Sequence, residues 1–233
     1  MQIQQTQRFK LKDIILISSL PDMGKVGGLV SGHLAKKLTV KPAAKLILSD
    51  KPWVNQKNGI VELPREEYNF LVDEQNSIVI FTGENQPQEG RTVYEMSELV
   101  LSTVRQMGNI KLVISSGGYM PPKQADGDKV YGIATNTKAF DILKPYGVEA
   151  LDSEVNSITW FNGLILGHAK AQNIDGVGLF GEIMDVESPQ YKAAKNIIKI
   201  IEKILDKKID TSDLEQKVED VSPEPKKEGP GIG

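Results

Sequence analysis

Buried β-strands are the first elements that the hydrophobic pattern predicts, because several short runs are apolar without alternation. The clearest run is residues 12–19 (KDIILISS), which ends at a Pro-Asp turn. A continuous apolar run of this length is typical of a strand that is covered on both faces. Further runs of the same kind are residues 45–49, 77–83, 111–115 and 176–180.

Segments with helical spacing of apolar residues separate most of these runs. They are residues 25–38, 90–107, 135–143, 157–171 and 189–205. Alternating strands and helices are typical of a largely parallel sheet with helices packed on both faces. The pattern therefore predicts an α/β protein with three layers, α/β/α, and a mostly parallel sheet.

Two shorter segments alternate apolar with polar residues instead. They are residues 59–63 and 67–72, with Pro64 and Arg65 between them. Alternation of period two predicts strands with one buried face. We expect these two strands to form a hairpin at the sheet edge or over one face of the sheet.

The domain organisation follows from a change in composition near residue 210. Residues 1–209 carry the strand and helix pattern and predict one α/β domain. Residues 210–220 predict one more short helix, and from residue 221 the sequence VSPEPKKEGPGIG has almost no apolar side chain. Such a segment cannot offset its ordering entropy by burial. We therefore expect residues 210–233 to form a short helix and a flexible acidic tail.

Composition and charge exclude several classes of protein. The chain has 233 residues, 39% apolar and 25% charged, with two histidines and no cysteine. The absence of cysteine excludes a disulfide framework and any thiolate-based site, and two histidines are too few for a histidine-rich metal centre. No apolar run is long enough to cross a membrane, and the N-terminus (MQIQQTQRFK) lacks the apolar core of a signal peptide. We expect a cytoplasmic protein that does not bind a membrane.

The net charge of −3 is unevenly distributed. Residues 210–233 carry seven acidic and three basic side chains, a net of −4, so the body has a net charge of +1. A nearly neutral body gives no electrostatic reason for binding nucleic acid. We expect no nucleic-acid partner.

A glycine-rich turn follows the first predicted strand in the sequence LPDMGKVGG. Glycines at this point would let backbone N–H groups approach a phosphate at a helix N-terminus. The spacing matches neither the dinucleotide fingerprint nor the P-loop. Gly24, Gly28 and Gly32 recur every four residues, which predicts one helical stripe for close packing. We favour packing over phosphate binding.

Polar and acidic residues cluster after several of the predicted strands, where ligands bind in this architecture. They include Tyr119, Asp126 and Asp185. A small-molecule or nucleotide site there would use Gly24, Glu84, Gly118 and Glu182, since a carboxylate pair can transfer protons or hold magnesium. The alternative is that these loop residues are simply solvated. No nucleophile and base with a recognisable spacing accompany them, so we assign no catalytic residue, cofactor or metal site.

The two tryptophans, the phenylalanine next to one of them and the two histidines can each be explained by a structural role. Trp53 and Trp160, with Phe161, are expected to be core or interface aromatics, because large rings are good anchors for association. His33 and His168 fall on predicted helices without a partner, and neither is assigned to catalysis.

Several stretches together resemble the proteasome assembly chaperone family, the archaeal and bacterial relatives of the second eukaryotic proteasome assembly chaperone. They span about residues 10–206. The stretches are LPDMGKVGG at 20–28, FTGENQP at 81–87, residues 113–118, VYGIAT at 130–135, GLILG at 163–167, and VGLFGE at 177–182 followed by Pro189.

This resemblance implies a phosphorylase/hydrolase-like α/β/α fold, a homo-oligomer, and a non-enzymatic role in binding proteasome α-subunits or assembly intermediates. Family members have also carried an ATP-grasp or carboligase label. The glycine-rich lid and magnesium-binding residues that this chemistry needs are not identifiable here.

Members that dock through their tail often end in a hydrophobic residue, a tyrosine and one last residue. This chain ends Gly231-Ile232-Gly233, with isoleucine in place of the tyrosine.

Overall fold

A mixed β-sheet runs through the centre of the molecule in a computed structural model of the chain. The structure describes residues 1–122, 127–151 and 155–221. Its strands are β1 (Gln2–Gln5), β2 (Leu11–Ser18), β3 (Lys41–Leu48), β4 (Asn55–Lys57), β5 (Ile60–Glu62), β6 (Glu66–Asp73), β7 (Ile78–Gly83), β8 (Gly108–Tyr119), β9 (Val130–Ala134), β10 (Glu149–Ala150) and β11 (Gly176–Glu182). The order across the main sheet is β1-β3-β6-β7-β2-β8-β11-β9-β10.

The four central strands, β7, β2, β8 and β11, are parallel. They contain the continuous apolar runs that predicted strands buried on both faces. Leu16 in β2 pairs in register with Val79 of β7 and Val113 of β8, and all three side chains are fully buried. The predicted α/β fold with a parallel centre is therefore confirmed.

The flanking strands pair in antiparallel fashion, except that β10 is parallel to β9, and one pairing differs from the expectation. The predicted hairpin between residues 59–63 and 67–72 is wrong: β5 pairs with β4 in a small separate hairpin, and β6 lies inside the main sheet between β3 and β7. The alternation of apolar and polar residues in β6 arises because one face of this strand, inside the main sheet, packs on the core. Tyr68, Phe70 and Val72 all project into the same apolar core, whereas Asn69 and Leu71 on the opposite face are only half-buried.

Helices cover both faces of the sheet and complete the three layers. They are α1 (Val26–Lys37), α2 (Gly90–Arg105), α3 (Thr137–Asp141), α4 (Trp160–Ala171), α5 (Tyr191–Leu205) and α6 (Ser212–Val221). One core lies between the sheet and α2 with α4, where Met96 and Phe161 are fully buried. The second core lies between the sheet and the other helices, where Val30 and Ile197 are fully buried. The amphipathic pattern of each long helix thus faces a sheet surface.

Helix α6 packs against α1 and α5 rather than standing apart. Leu214 is buried in the second core, and the Lys37 ammonium lies 2.7 Å from the Asp210 carboxylate and 3.2 Å from that of Asp213. The Glu215 carboxylate lies 3.7 Å from the Lys195 ammonium, and the Lys217 ammonium lies 5.2 Å from the centre of the Tyr191 ring. Because a later residue of α6 contacts an earlier residue of α5, the two helices run antiparallel. Residues 222–233, where we expect the flexible tail, lie outside the described residues.

No helix within the described ranges is both long and apolar enough to cross a membrane.

Candidate functional site

A cavity of about 520 Å³ opens at the carboxyl edge of the sheet, the edge at which β7, β2, β8 and β11 end. We name it the edge cavity. It lies between the loops after β2 and β7, the end of β8, and the start of α4. Its walls are mostly apolar or aromatic, and Asp22 is the acidic residue among them. This is the position at which parallel α/β sheets usually bind ligands.

Asp22 links the glycine-rich turn to the neighbouring strand. One carboxylate oxygen accepts a hydrogen bond of 2.8 Å from the Gly27 N–H, and the other accepts one of 2.8 Å from the Gly118 N–H. Burial raises the pKa of Asp22 to about 7, although the two backbone N–H groups oppose this shift. The side chain therefore changes its charge near neutral pH.

A polar network lies beneath Asp22 in the otherwise apolar interior. The side-chain amide of Asn162 forms two hydrogen bonds with the backbone of Leu20, at 2.8 and 2.9 Å. The hydroxyls of Ser19 and Ser116 are 2.9 Å apart, and the Ser116 N–H donates to the Ser19 hydroxyl oxygen. These buried groups satisfy one another and hold the ends of β2, β8 and α4 in a fixed arrangement.

Gln86, in the loop after β7, connects the loop after β2 to the start of α4 through its side-chain amide. Its amide nitrogen donates to the Pro21 carbonyl at 2.6 Å, and its amide oxygen accepts from the Phe161 N–H at 2.9 Å. Phe161 is fully buried, as expected for a core aromatic, whereas Trp160 is 46% exposed and has a positive φ of 59°. The start of α4 therefore presents a large aromatic side chain at the mouth of the edge cavity.

The glycine-rich turn has its N–H groups engaged within the protein. The Gly24 N–H donates to the Val186 carbonyl and the Lys25 N–H to the Asp22 carbonyl, both at 2.8 Å. The Gly27 N–H is bonded to Asp22, as above. A phosphate at this turn would have to displace these bonds and approach a carboxylate, so the geometry favours packing over phosphate binding.

The predicted stripe of three glycines is only partly correct. Gly24 precedes α1 and has a φ of +61°, and a Cβ there would collide with the Gln190 side chain. A Cβ at Gly28 would lie 2.6 Å from the Pro21 ring, whereas a Cβ at Gly32 would meet nothing within 4 Å. Within α1 the glycine in tightest contact is Gly27, where a Cβ would collide with the Leu20 carbonyl oxygen and lie 2.7 Å from the Asn162 amide nitrogen.

The four residues of the small-molecule hypothesis do not meet in one cavity. Gly118 lines the edge cavity, but Glu84 is exposed in a separate groove beside α1. Glu182 is buried, and its carboxylate accepts a hydrogen bond of 3.0 Å from the Tyr131 hydroxyl. Gly24 packs on Gln190, as described. Asp126 lies outside the described residues, and in the described part of the chain no three acidic or histidine side chains are grouped to hold a metal ion.

Both histidines are structural in this geometry. The His33 ring nitrogen Nε2 lies 2.8 Å from the Asp210 carbonyl oxygen and helps to hold α6. The His168 ring makes an edge contact with the Tyr94 ring, with centroids 4.5 Å apart.

Sequence reasoning missed Asp22 and Asn162, which define the site. A signal for Asp22 was available: an aspartate directly after a buried strand and five residues before a helical glycine is placed to bond the first turn of the helix. Asn162 lies 142 residues from its partner Leu20, and its sequence context resembles any helical position. Only the fold brings it to the end of β2.

Comparison with known proteins identifies the family. A model of the PAC2 family matches residues 16–227. The chain belongs to the PAC2 family.

Relatives of this PAC2 chain share its fold over nearly the whole length. Pyrococcus furiosus PbaB, described as an archaeal proteasome activator, is 28% identical with a TM-score of 0.79, and 94% of each chain is covered. Pyrococcus furiosus PbaA, described as an archaeal homolog of proteasome-assembly chaperone, is 22% identical with a TM-score of 0.77; 94% of this chain and 88% of that chain are covered. An uncharacterised protein of Methanocaldococcus jannaschii is 25% identical over 213 residues, which are 89% of this chain and 80% of that protein.

Proposed function

We propose that this PAC2 protein is a non-enzymatic, homo-oligomeric chaperone-like protein that binds proteasome subunits or assembly intermediates. The observation that carries the proposal is the similarity to PbaB, which is 28% identical and covered over 94% of both chains. The activity attributed to PbaB concerns the proteasome. A binding role for this chain is the simplest function consistent with that relative.

The geometry of the glycine-rich turn supports a binding role over nucleotide chemistry. The N–H groups of Gly24, Lys25 and Gly27 already donate within the protein, and the last of them donates to the Asp22 carboxylate. The Asp22 carboxylate at this point would repel the phosphates of a nucleotide whenever it is ionised. We therefore expect proteasome binding to need no nucleotide.

Native mass spectrometry tests this proposal directly. The full chain is mixed with purified proteasome α-subunits from the same source at micromolar concentration, with serum albumin as a control for non-specific adducts. We expect stoichiometric complexes with α-subunits and none with albumin, whether or not ATP is present. Failure to bind α-subunits and assembly intermediates alike would overturn the proposal.

A chain that ends at residue 221 separates two routes of contact. Residues 222–233 contain one large apolar side chain, that of Ile232. We therefore expect the shortened chain to bind α-subunits as well as the full chain does, through its body. Loss of binding on truncation would instead place the contact in the tail.

The edge cavity favours a second candidate, a protein that binds a small molecule at the carboxyl edge of the sheet. Its volume of about 520 Å³ and its acid with a pKa of about 7 suit a compact ligand with an apolar body. Thermal-shift screening with nucleotides, phosphates and small amines tests this candidate. A true cavity ligand would stabilise the wild type and Glu84→Ala but not Asp22→Asn, because Glu84 lies outside the cavity. A flat response across the panel would remove this candidate.

A further inference from the structure

The exposed apolar surface of the described residues is concentrated at the carboxyl edge of the sheet. Among the described residues, the strongly exposed large apolar side chains follow β2, β3, β8 or β11, lie in or next to β5, or begin α4; Met1 and Tyr94 are the exceptions. Strand β3 is antiparallel to β6, which is antiparallel to β7, so β3 also ends at this edge. An apolar surface confined to one edge marks an interaction surface.

The most exposed part of this edge is the apolar hairpin, which we define as residues 53–63 with β4 and β5. Trp53 is 54% exposed, Ile60 68% and Leu63 62%. Its ladder joins only three residue pairs and is separate from the main sheet. A two-stranded hairpin of this kind has little stability in water by itself. Exposure of so much apolar surface on it implies that another surface covers it.

The edge cavity supplies a concave apolar surface on the same edge of the same chain. Leu151, Val155, Ile158 and Phe180 line it, with Trp160 at its mouth. Its volume of about 520 Å³ is sufficient for one or two large side chains. The hairpin strands are about 10 Å long, which gives the hairpin enough reach to enter such a cavity on a molecule that faces it.

We propose that the carboxyl edge is the interface between copies of this chain, in which the apolar hairpin of one copy enters the edge cavity of another. A single chain carries both the projecting and the receiving surface, so a second copy is the one partner whose complementarity is already present. A two-fold axis between hairpin and cavity places each hairpin over the partner's cavity, which gives a closed, symmetric contact. This inference rests on the homo-oligomeric state in the proposed function and adds where the copies meet.

The test compares self-association of the full chain and three variants by analytical ultracentrifugation. The double variant Trp53→Ser/Ile60→Ser removes the projecting side chains, and Ser157→Trp blocks the cavity mouth from an exposed position. Each is expected to weaken self-association by about 100-fold, because buried aromatic and large aliphatic anchors dominate such contacts. The matched control is Tyr94→Ser: Tyr94 is 53% exposed, close to the value for Trp53, but it lies on α2 with its ring against that of His168, and it lines neither the hairpin nor the edge cavity. We expect the control to associate as the wild type does.

A mixture of the hairpin variant, Trp53→Ser/Ile60→Ser, with the cavity variant, Ser157→Trp, provides a second test. The hairpin variant keeps an intact cavity, and the cavity variant keeps an intact hairpin, so an equimolar mixture is expected to regain association through one complete contact per pair. A monomeric wild type, or variants that associate as tightly as the wild type, would overturn the inference. A monomer that still binds proteasome α-subunits in native mass spectrometry would overturn the inference and the homo-oligomeric part of the proposed function, while leaving the proteasome-binding role standing. Circular dichroism of each variant excludes loss of folding, since all substituted side chains are exposed.

Discussion

Asp22 shows how one side chain combines a structural and an electrostatic role. Its two oxygens accept hydrogen bonds from the first turn of α1 and from the end of β8, which joins the two elements. Its pKa is nevertheless raised to about 7, because burial disfavours the charged form more than the two N–H groups favour it. The folded protein thus holds the Asp22 proton more tightly than the unfolded chain does.

This raised pKa predicts a stability that depends on pH. Between the unfolded value of about 4 and the folded value of about 7, the folded state binds more protons at this site, so its contribution to stability falls as pH rises. The slope is at most about 1.4 kcal/mol per pH unit. Urea unfolding of the wild type and Asp22→Asn between pH 4.5 and 7.5 measures it. The stability advantage of the wild type over the variant should shrink as pH rises, and an advantage that grows with pH would contradict the assignment.

Gly27 and Gly32 form a matched pair in α1. A Cβ at Gly27 would lie 2.7 Å from the Asn162 amide nitrogen and 2.8 Å from the Ser116 carbonyl oxygen, whereas a Cβ at Gly32 meets nothing within 4 Å. We expect Gly27→Ala to destabilise the protein by about 3 kcal/mol through overpacking. Gly32→Ala should stabilise it by about 0.5–1 kcal/mol, because alanine favours the helix. Chemical denaturation checks both, and equal effects at the two positions would contradict the packing argument.

At the scale of elements, α6 is held by both an apolar contact and ion pairs, and burial decides which matters more. Leu214 is 3% exposed, whereas Asp210 and Asp213 are 60% and 46% exposed at their side chains. We expect Leu214→Ala to cost about 3 kcal/mol and to speed hydrogen exchange in α6 first. Lys37→Met, which breaks both ion pairs, should have a much smaller effect, because exposed pairs contribute little. The reverse ranking in hydrogen exchange would show that the ion pairs hold α6.

The sequence predicted the elements whose burial leaves a local signal. The apolar runs of β2, β7, β8 and β11 are continuous because both faces are covered; β2, β7 and β11 lie near their predicted bounds, whereas β8 extends beyond the predicted residues 111–115 at both ends. The pairing of β6 was mistaken, because alternation reveals a half-buried strand but not its neighbour. Strand β1 has the sequence QIQQ, with Ile3 as its one apolar residue packed against the core, so its place beside β3 depends mainly on backbone pairing. Such pairing leaves no hydrophobic pattern to detect.

The residues of the candidate site were harder to predict than the strands, because contacts between distant segments leave no pattern in the local sequence. The glycine-rich turn and the carboxyl edge were identified from the sequence, and Gly118 does line the cavity. Glu84 and Glu182 follow neighbouring parts of the sheet but end in different environments, one exposed and one bonded to Tyr131. Position at a strand end places a residue near an edge. The direction in which its side chain points depends on packing between segments that are far apart in the sequence, such as Asn162 against Leu20.

At the scale of the whole molecule, the net charge and the position of the exposed apolar side chains together indicate how copies of the chain associate. The body is nearly neutral, and its exposed apolar side chains lie mainly at one edge. A molecule of this kind should associate through burial of apolar surface, and association that occurs only in the folded state stabilises folding by mass action. We therefore expect the midpoint of thermal unfolding to rise with protein concentration, by about 4 °C over a hundredfold range.

The same measurement on the hairpin variant separates self-association from intrinsic stability. Trp53→Ser/Ile60→Ser alters only exposed side chains, so its midpoint should equal that of the dilute wild type and should not change with concentration. The Tyr94→Ser control should keep the full concentration dependence. Differential scanning calorimetry at several scan rates distinguishes a true equilibrium shift from aggregation after unfolding. A midpoint that is independent of concentration in the wild type would mean that the apolar edge is not covered by a second copy, because self-association of the folded state necessarily couples stability to concentration.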